Sequence, residues 1–177
     1  MELFWERGYE ATSLRDLTDA LGIGSGSLYA AFGSKDGLFQ AALARYRQEQ
    51  AQPLVDALSA DGEIRAVIRR ALGMIVAMDV SDERRRGCLV VNSATERIPR
   101  DGATAAAVRG VLASIRDALE DALRRAQQRG ELGPGKDPHA LAGFFLTFIN
   151  GLRVAAKTDP DERSLTSGAE AALTVLD

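Results

Sequence analysis

Cys88 and His139 are the single cysteine and the single histidine of a 177-residue chain. Two such ligands cannot close a conventional four-ligand zinc site, and one thiol cannot form an internal disulfide. No nucleophile stands with a base in a recognisable catalytic spacing, and neither a Walker loop nor a dinucleotide fingerprint occurs. The side chains therefore offer binding rather than bond-breaking chemistry: no enzyme, no cofactor and no metal is expected. Cys88 follows Arg84-Arg85-Arg86, which leaves two readings open, a thiol made reactive by neighbouring charge or a small buried hydrophobe. Asn92 is an amide set among Leu89, Val90, Val91 and Ala94, and must find a partner if it is buried. His139, just after Pro138, reads as a first-turn surface residue.

The elements that position these residues read as helical throughout. Hydrophobic residues make up 46% and charged ones 27%, the composition of a soluble globular chain, and β-branched residues do not alternate with polar ones over strand length. Hydrophobic periodicity and breakers give an all-α chain of about nine helices. A short first helix closes at Gly8, with Leu3 and Phe4 facing the core. A second, capped by Ser13 with Asp16 three residues on, carries Leu14, Leu17 and Leu21 and stops at Gly22. A third runs from Gly24 or Ser25 to Gly33, anchored inward by Leu28 and Phe32, and a fourth starts at Ser34 and is interrupted by Pro53. Ile64 to Met78 form a fifth, and Cys88 to about Arg97 a sixth ending before Pro99. The last three cover about Thr104 to Gly130, Pro138 to Ala156 and about Ser164 to Leu176. No unbroken apolar run reaches the ~18 residues of a membrane span, so a cytoplasmic protein without a membrane partner is expected. The net charge of −3 supplies no global field toward nucleic acid, and any DNA binding must come from a local surface.

Leu21-Gly22-Ile23-Gly24 joins two of these helices as a helix-turn-helix does: Gly22 permits the positive φ of the turn and Ile23 fills the angle. The wider pattern is more specific. Gly8-Tyr9-Glu10-Ala11-Thr12-Ser13-Leu14, Leu21-Gly22-Ile23 and Gly26-Ser27-Leu28-Tyr29-Ala30-Ala31-Phe32-Gly33-Ser34-Lys35-Asp36-Gly37-Leu38-Phe39 resemble the DNA-binding domain of TetR-family transcriptional regulators. The resemblance implies a DNA-binding domain over residues 1–46, followed by a helical effector-binding and dimerisation domain over 47–177. It implies a homodimer that places its third helix in the major groove of double-stranded operator DNA. Ser25, Gly26, Ser27, Tyr29 and Ala30 would then face DNA, with Thr12, Ser13 and Lys35 at phosphates. Thr18, Gly24 and the Ala30-Ala31 pair depart from the family's usual residues, which makes base readout by side chains sparse. Family members often begin with a basic arm and a longer first helix; the sequence reads as a late start within that helix, and its first 50 residues hold five basic against seven acidic groups.

Within the second domain the resemblance implies a small-molecule effector in a helical cavity, and the candidate lining is Met74, Met78, Cys88, Asn92, Phe144 and Phe148. The same residues also fit plain core packing. The helix from Pro138 and the last helix are expected to form the dimer interface through Phe145, Ile149, Leu152, Ala155 and Leu173. A ligand-responsive repressor released by a small apolar effector is the expected function. A helical small-molecule-binding protein that has lost DNA binding is the alternative.

Overall fold

The computed structural model describes residues 1–98 and 101–177, and every regular element in them is helical. α1 (Glu2–Arg7) turns Phe4 and Trp5 inward, with Leu3 only half-buried, and ends at Gly8. α2 (Leu14–Leu21) opens on a reciprocal capping box: the Asp16 N–H donates to Ser13 Oγ, and the Ser13 N–H donates to the Asp16 carboxylate. Gly22, at φ 65°, turns the chain into α3 (Ser25–Phe32). α4 (Lys35–Tyr46) starts at Ser34, whose Oγ accepts from the Gly37 N–H at 3.0 Å. A Cβ at Gly37 would fall 1.9 Å from the Phe32 carbonyl oxygen, so only glycine lets the end of α3 lie this close to the start of α4.

The helix does not break at Pro53. Arg47–Ala51 form a π-turn in which the Gln52 N–H reaches the Arg47 carbonyl, and α5 (Gln52–Ser59) follows without a loop. The longer step shifts the frame so that Pro53 falls in the first turn of α5, where its missing N–H interrupts little. Then come α6 (Ile64–Ser81), α7 (Leu89–Arg97), α8 (Gly102–Gln128), α9 (Pro138–Thr158) and α10 (Glu162–Ala172), the last closed by a 3₁₀ turn over Leu173–Leu176. With α4, the π-turn and α5 taken as one run, the described residues form nine helical rods. The expected stop at Pro99 lies outside the described residues.

Carboxylates supply the N-caps of the second half: Glu63, Asp101, Asp137 and Asp161 accept from the first free N–H groups of α6, α8, α9 and α10. α8 is the central strut and packs on α9, α5, α7 and α4, while α6 closes the other side against α9, α10 and α5. Val108, Val111, Ile115, Leu119 and Leu123 of α8 meet Phe145, Ile149 and Leu152 of α9 in one continuous core. By length and composition α9 could cross a membrane, but here one of its faces is built into that core. α2 packs on α3 and α3 on α4; α4 and α1 then tie this unit to α7 and α8.

Candidate nucleic-acid interface

α3 contributes a single wholly buried side chain, Leu28, which fixes the helix against the core. The rest of it faces water. Ser25, Gly26, Ser27, Tyr29, Ala30 and Ala31 are exposed, and among the described residues neither serine hydroxyl bonds to the protein. A Cβ built on Gly26 meets nothing within 4 Å, so the backbone there is open to an approaching surface. Phe32, expected as an inward anchor, is instead 36% exposed, and Leu21 is 49% exposed because it ends α2 where no later element covers it. With Tyr29 they add apolar area at the margin of the helix-turn-helix.

Each of the three expected phosphate contacts has a partner within the chain. Thr12 has no exposed surface, and its hydroxyl donates to the Gly8 carbonyl at 2.6 Å. It closes the loop between α1 and α2 and cannot reach DNA through its side chain. The Lys35 ammonium lies over the Tyr9 ring at 4.1 Å, which positions it at the start of α4 and partly covers it. Ser13 is exposed but committed to Asp16, donating its hydroxyl proton to Oδ2 at 2.5 Å. Arg7 pairs with Asp16 and Arg15 with Asp19, so acids in α2 partly offset the positive charge near α3.

A second set of residues at this interface left no local signal in the sequence. The Tyr9 and Glu10 N–H groups donate to the Glu96 carboxylate at 3.0 and 2.9 Å, and the Arg97 guanidinium lies 3.5 Å from the centre of the Tyr9 ring. Arg97 also binds Asp36 and Asp101. Both residues come from the end of α7; apart from Asp101, four positions on from Arg97, their partners lie 60 or more positions earlier, beyond the reach of any spacing rule. Arg84 and Arg86, from the triple arginine, pair with Glu6 and Glu2 of α1, and Arg86 lies over the Trp5 ring at 4.0 Å. α1, the loop before α2 and the start of α4 are thus held by charged residues of the segment leading into α7 and by α7 itself.

Of the expected effector residues the structure brings Met74 and Met78 together, in a recess of about 320 Å³ walled also by Pro53, Leu54, Ile75 and Arg153. Cys88 lies nearby, beside a void of about 20 Å³, and its sulfur accepts from the Tyr46 hydroxyl at 3.4 Å. Asn92 turns away: its amide donates to the Arg86 carbonyl and its oxygen accepts from Lys157, which satisfies the group locally. Phe144, exposed on the outer side of α9, stacks at 6.3 Å on Phe148, which is half-buried against the core, and neither lines either recess.

Most of the expected dimer contacts are also corrected. Phe145, Ile149, Leu152 and Leu173 are buried within one subunit, and of the five only Ala155 is exposed. A helix that is apolar around its circumference does not reveal which side its own subunit covers. The outward side of α9 carries Phe144, Thr147, Gly151, Val154 and Ala155.

Comparison with known proteins agrees with this architecture. The description of bacterial regulatory proteins of the tetR family matches residues 1–42, and that of the tetracyclin repressor-like C-terminal domain matches residues 62–172. The chain is 35% identical over 178 residues to the uncharacterized HTH-type transcriptional regulator YezE of Bacillus subtilis (strain 168), spanning 100% of this chain and 92% of that protein. It is 33% identical over 158 residues to the HTH-type transcriptional repressor ComR of Escherichia coli (strain K12), spanning 89% of this chain and 75% of that protein. A cysteine mutant of the TetR family regulator CifR, solved with 26-bp double-strand operator DNA, aligns with a TM-score of 0.89 at 37% identity over 98% of this chain and 91% of that one. The chain belongs to the tetR family of bacterial regulatory proteins, helix-turn-helix transcriptional regulators rather than enzymes.

Proposed function

We propose that the chain is a transcriptional repressor that binds an inverted-repeat operator as a homodimer and leaves it when a small, largely apolar effector enters the second domain. Residues 1–46 act as the DNA-binding unit and residues 47–177 as the effector and dimerisation unit, working in the cytoplasm where the operator is found. The observation that carries this reading is the outward face of α3: free serine hydroxyls, an open backbone at Gly26 and Tyr29 at the rim, on a helix pinned by Leu28. The names of ComR and the operator complex of CifR support it. In a twofold dimer the two α3 helices would lie about 34 Å apart or more, one turn of B-DNA.

Selection from a randomised duplex pool at fixed, moderate salt tests the proposal. Recovery of an inverted repeat whose half-sites lie a helical turn or more apart is the expected result. Recovery of no shared sequence would leave the second domain's binding function as the chain's whole activity.

A further inference from the structure

Along part of their length α4 and α8 leave a groove of about 510 Å³ between them, within the usual range for small-molecule sites. It lies on the seam between residues 1–46 and 47–177. Its floor is apolar and buried: Leu43 of α4, Val90 of α7, and Val108 and Val111 of α8. Ala44 of α4 and Ala107 of α8 also line it, and their short side chains fill little of the space.

The remaining wall is polar. The π-turn sends Arg47 and Gln48 into this groove and its next two residues, Glu49 and Gln50, to the recess between α5 and α6. Such π-turns inside helices are rare and concentrate at functional sites. Among the described residues Arg47 has no ion pair and no acid lines the groove: Glu49 pairs with Arg45, and Asp56 accepts from Gln52 Nε2 at 2.9 Å. A guanidinium thus stands over an apolar floor, with the amides of Gln40 and Gln48 beside it.

Gln40 also leads out of the groove. Its Nε2 donates to Thr104 Oγ1 at 3.1 Å, the wholly buried Thr104 donates to Asp101 at 2.6 Å, and Asp101 accepts from Arg97 Nη2 at 2.7 Å. Arg97 in turn holds the Tyr9 ring, and Asp36 in the first turn of α4. An unbroken chain of side-chain hydrogen bonds therefore joins the groove wall to the residue that clasps the loop before α2.

We infer that this groove binds a small organic carboxylate with a slender apolar body, and that the bound carboxylate steadies Gln40 and, through it, the clasp on Tyr9. Arg47 pairs with the carboxylate, amide N–H groups of Gln48 and Gln40 donate to its oxygens, and the body covers the apolar floor. An amine would be opposed by the Arg47 charge, and a neutral amide would forgo the charge-assisted bond. As the effector site of a repressor the groove depends on the reading above; as a binding site it stands on its own geometry.

The test titrates phenylacetate, phenylacetamide, phenethylamine and acetate into the free protein, with calorimetry as the readout. Phenylacetate is expected to bind at least tenfold more tightly than each of the others. Arg47→Met removes the charge from a side chain of similar reach and should bring phenylacetate down to the level of the amide. Ala44→Phe, at an exposed position of α4, fills the groove and should block phenylacetate while the protein still melts cooperatively. Ala77→Phe, in the recess between α5 and α6, should leave the titration unchanged. On saturation with phenylacetate, hydrogen exchange at the Tyr9 and Glu10 amides should slow at least threefold.

Equal binding of the amide, undiminished binding to Arg47→Met or to a folded Ala44→Phe, loss of binding in Ala77→Phe, or no binding of any probe would each overturn the site. Binding with unchanged exchange at Tyr9 and Glu10 would overturn the link to the clasp. Operator release is measured separately: phenylacetate that binds as expected and leaves the operator complex intact would retain the groove as a ligand site and refute release by effector.

Discussion

The Arg97 guanidinium, at the end of α7, lies over the Tyr9 ring at 3.5 Å, while the neighbouring Glu96 carboxylate accepts from the backbone of Tyr9 and Glu10. The loop before α2 is thereby held through both its side chain and its amides by one turn of a helix in the other half of the chain. The same helix begins just after Cys88, beside the void that Arg153 lines. α7 thus spans from the interior of the second domain to the helix-turn-helix.

Removing this clasp should loosen the loop more than the fold. Glu96→Ala frees the Tyr9 and Glu10 amides, and their hydrogen exchange is expected to accelerate at least tenfold with α8 protection unchanged. Arg97→Ala loses the ring contact together with Asp36 and Asp101, and should destabilise the chain by about 1–3 kcal/mol in urea unfolding. Unchanged exchange at Tyr9 and Glu10 would show that the loop is held by Thr12 and Gly8 alone.

Acid sensitivity should trace largely to capping carboxylates. Hydrogen bonds from Thr104 and Arg97 hold Asp101 well below the usual carboxylate range, and bonds from Ser13 lower Asp16. A folded-state pKa below the unfolded value near ~3.9 contributes stability that is present above that value and lost as pH falls through the folded pKa. Thermal melts should therefore fall steeply below about pH 4. Asp101→Asn should lower Tm at pH 7 and flatten the decline at low pH; an unchanged slope would place the acid sensitivity elsewhere.

Thr12, Gly26 and Lys35 should separate fold from DNA contact. Thr12→Val removes the bond to Gly8 inside a closed loop, so it should cost about 1 kcal/mol of stability and leave the salt dependence of DNA binding unchanged. Lys35→Ala should weaken binding to all sequences and reduce the salt slope by about one. Gly26→Leu should abolish docking while the melting curve stays within a degree or two, since its Cβ meets nothing. Full operator affinity in Gly26→Leu would place the DNA elsewhere than on α3.

How much of this was legible in the sequence depends on the range of the interaction involved. Ser13 with Asp16, Gly22, and Ser34 with Gly37 are local bargains between a side chain and a backbone group a few residues away, and they appear in the structure as the spacing implies. Pro53 is equally local but was outweighed, because a π-turn moved it to a position where helices tolerate it. Thr12 could not be assigned from its type, since a hydroxyl before a helix serves a phosphate or a carbonyl equally well until the loop closes. Glu96 and the contacts of Arg97 with Tyr9 and Asp36 were illegible because those partners are remote in sequence; only its pairing with Asp101, four residues on, is local. The recess between α5 and α6 was half legible: Met74 and Met78 lie on one face of α6, but Arg153 joins them only when α9 packs on that helix.

The two faces of α9 should respond oppositely to charge. Phe145 has no exposed surface and sits in the core shared with α8, so Phe145→Glu buries an unpaired carboxylate and should unfold the chain. Phe144 and Val154 are 40% and 51% exposed, and a charge there meets water in a single subunit. If the outward face of α9 is the dimer contact, Phe144→Arg with Val154→Arg should sediment as a folded monomer with a nearly unchanged circular dichroism spectrum. Such a monomer presents one α3 helix, so it should keep weak, salt-sensitive DNA binding and lose the preference for an inverted repeat over a single half-site. A double variant that still sediments as a dimer would move the interface to another helix pair, while one that unfolds would show that these side chains belong to the core.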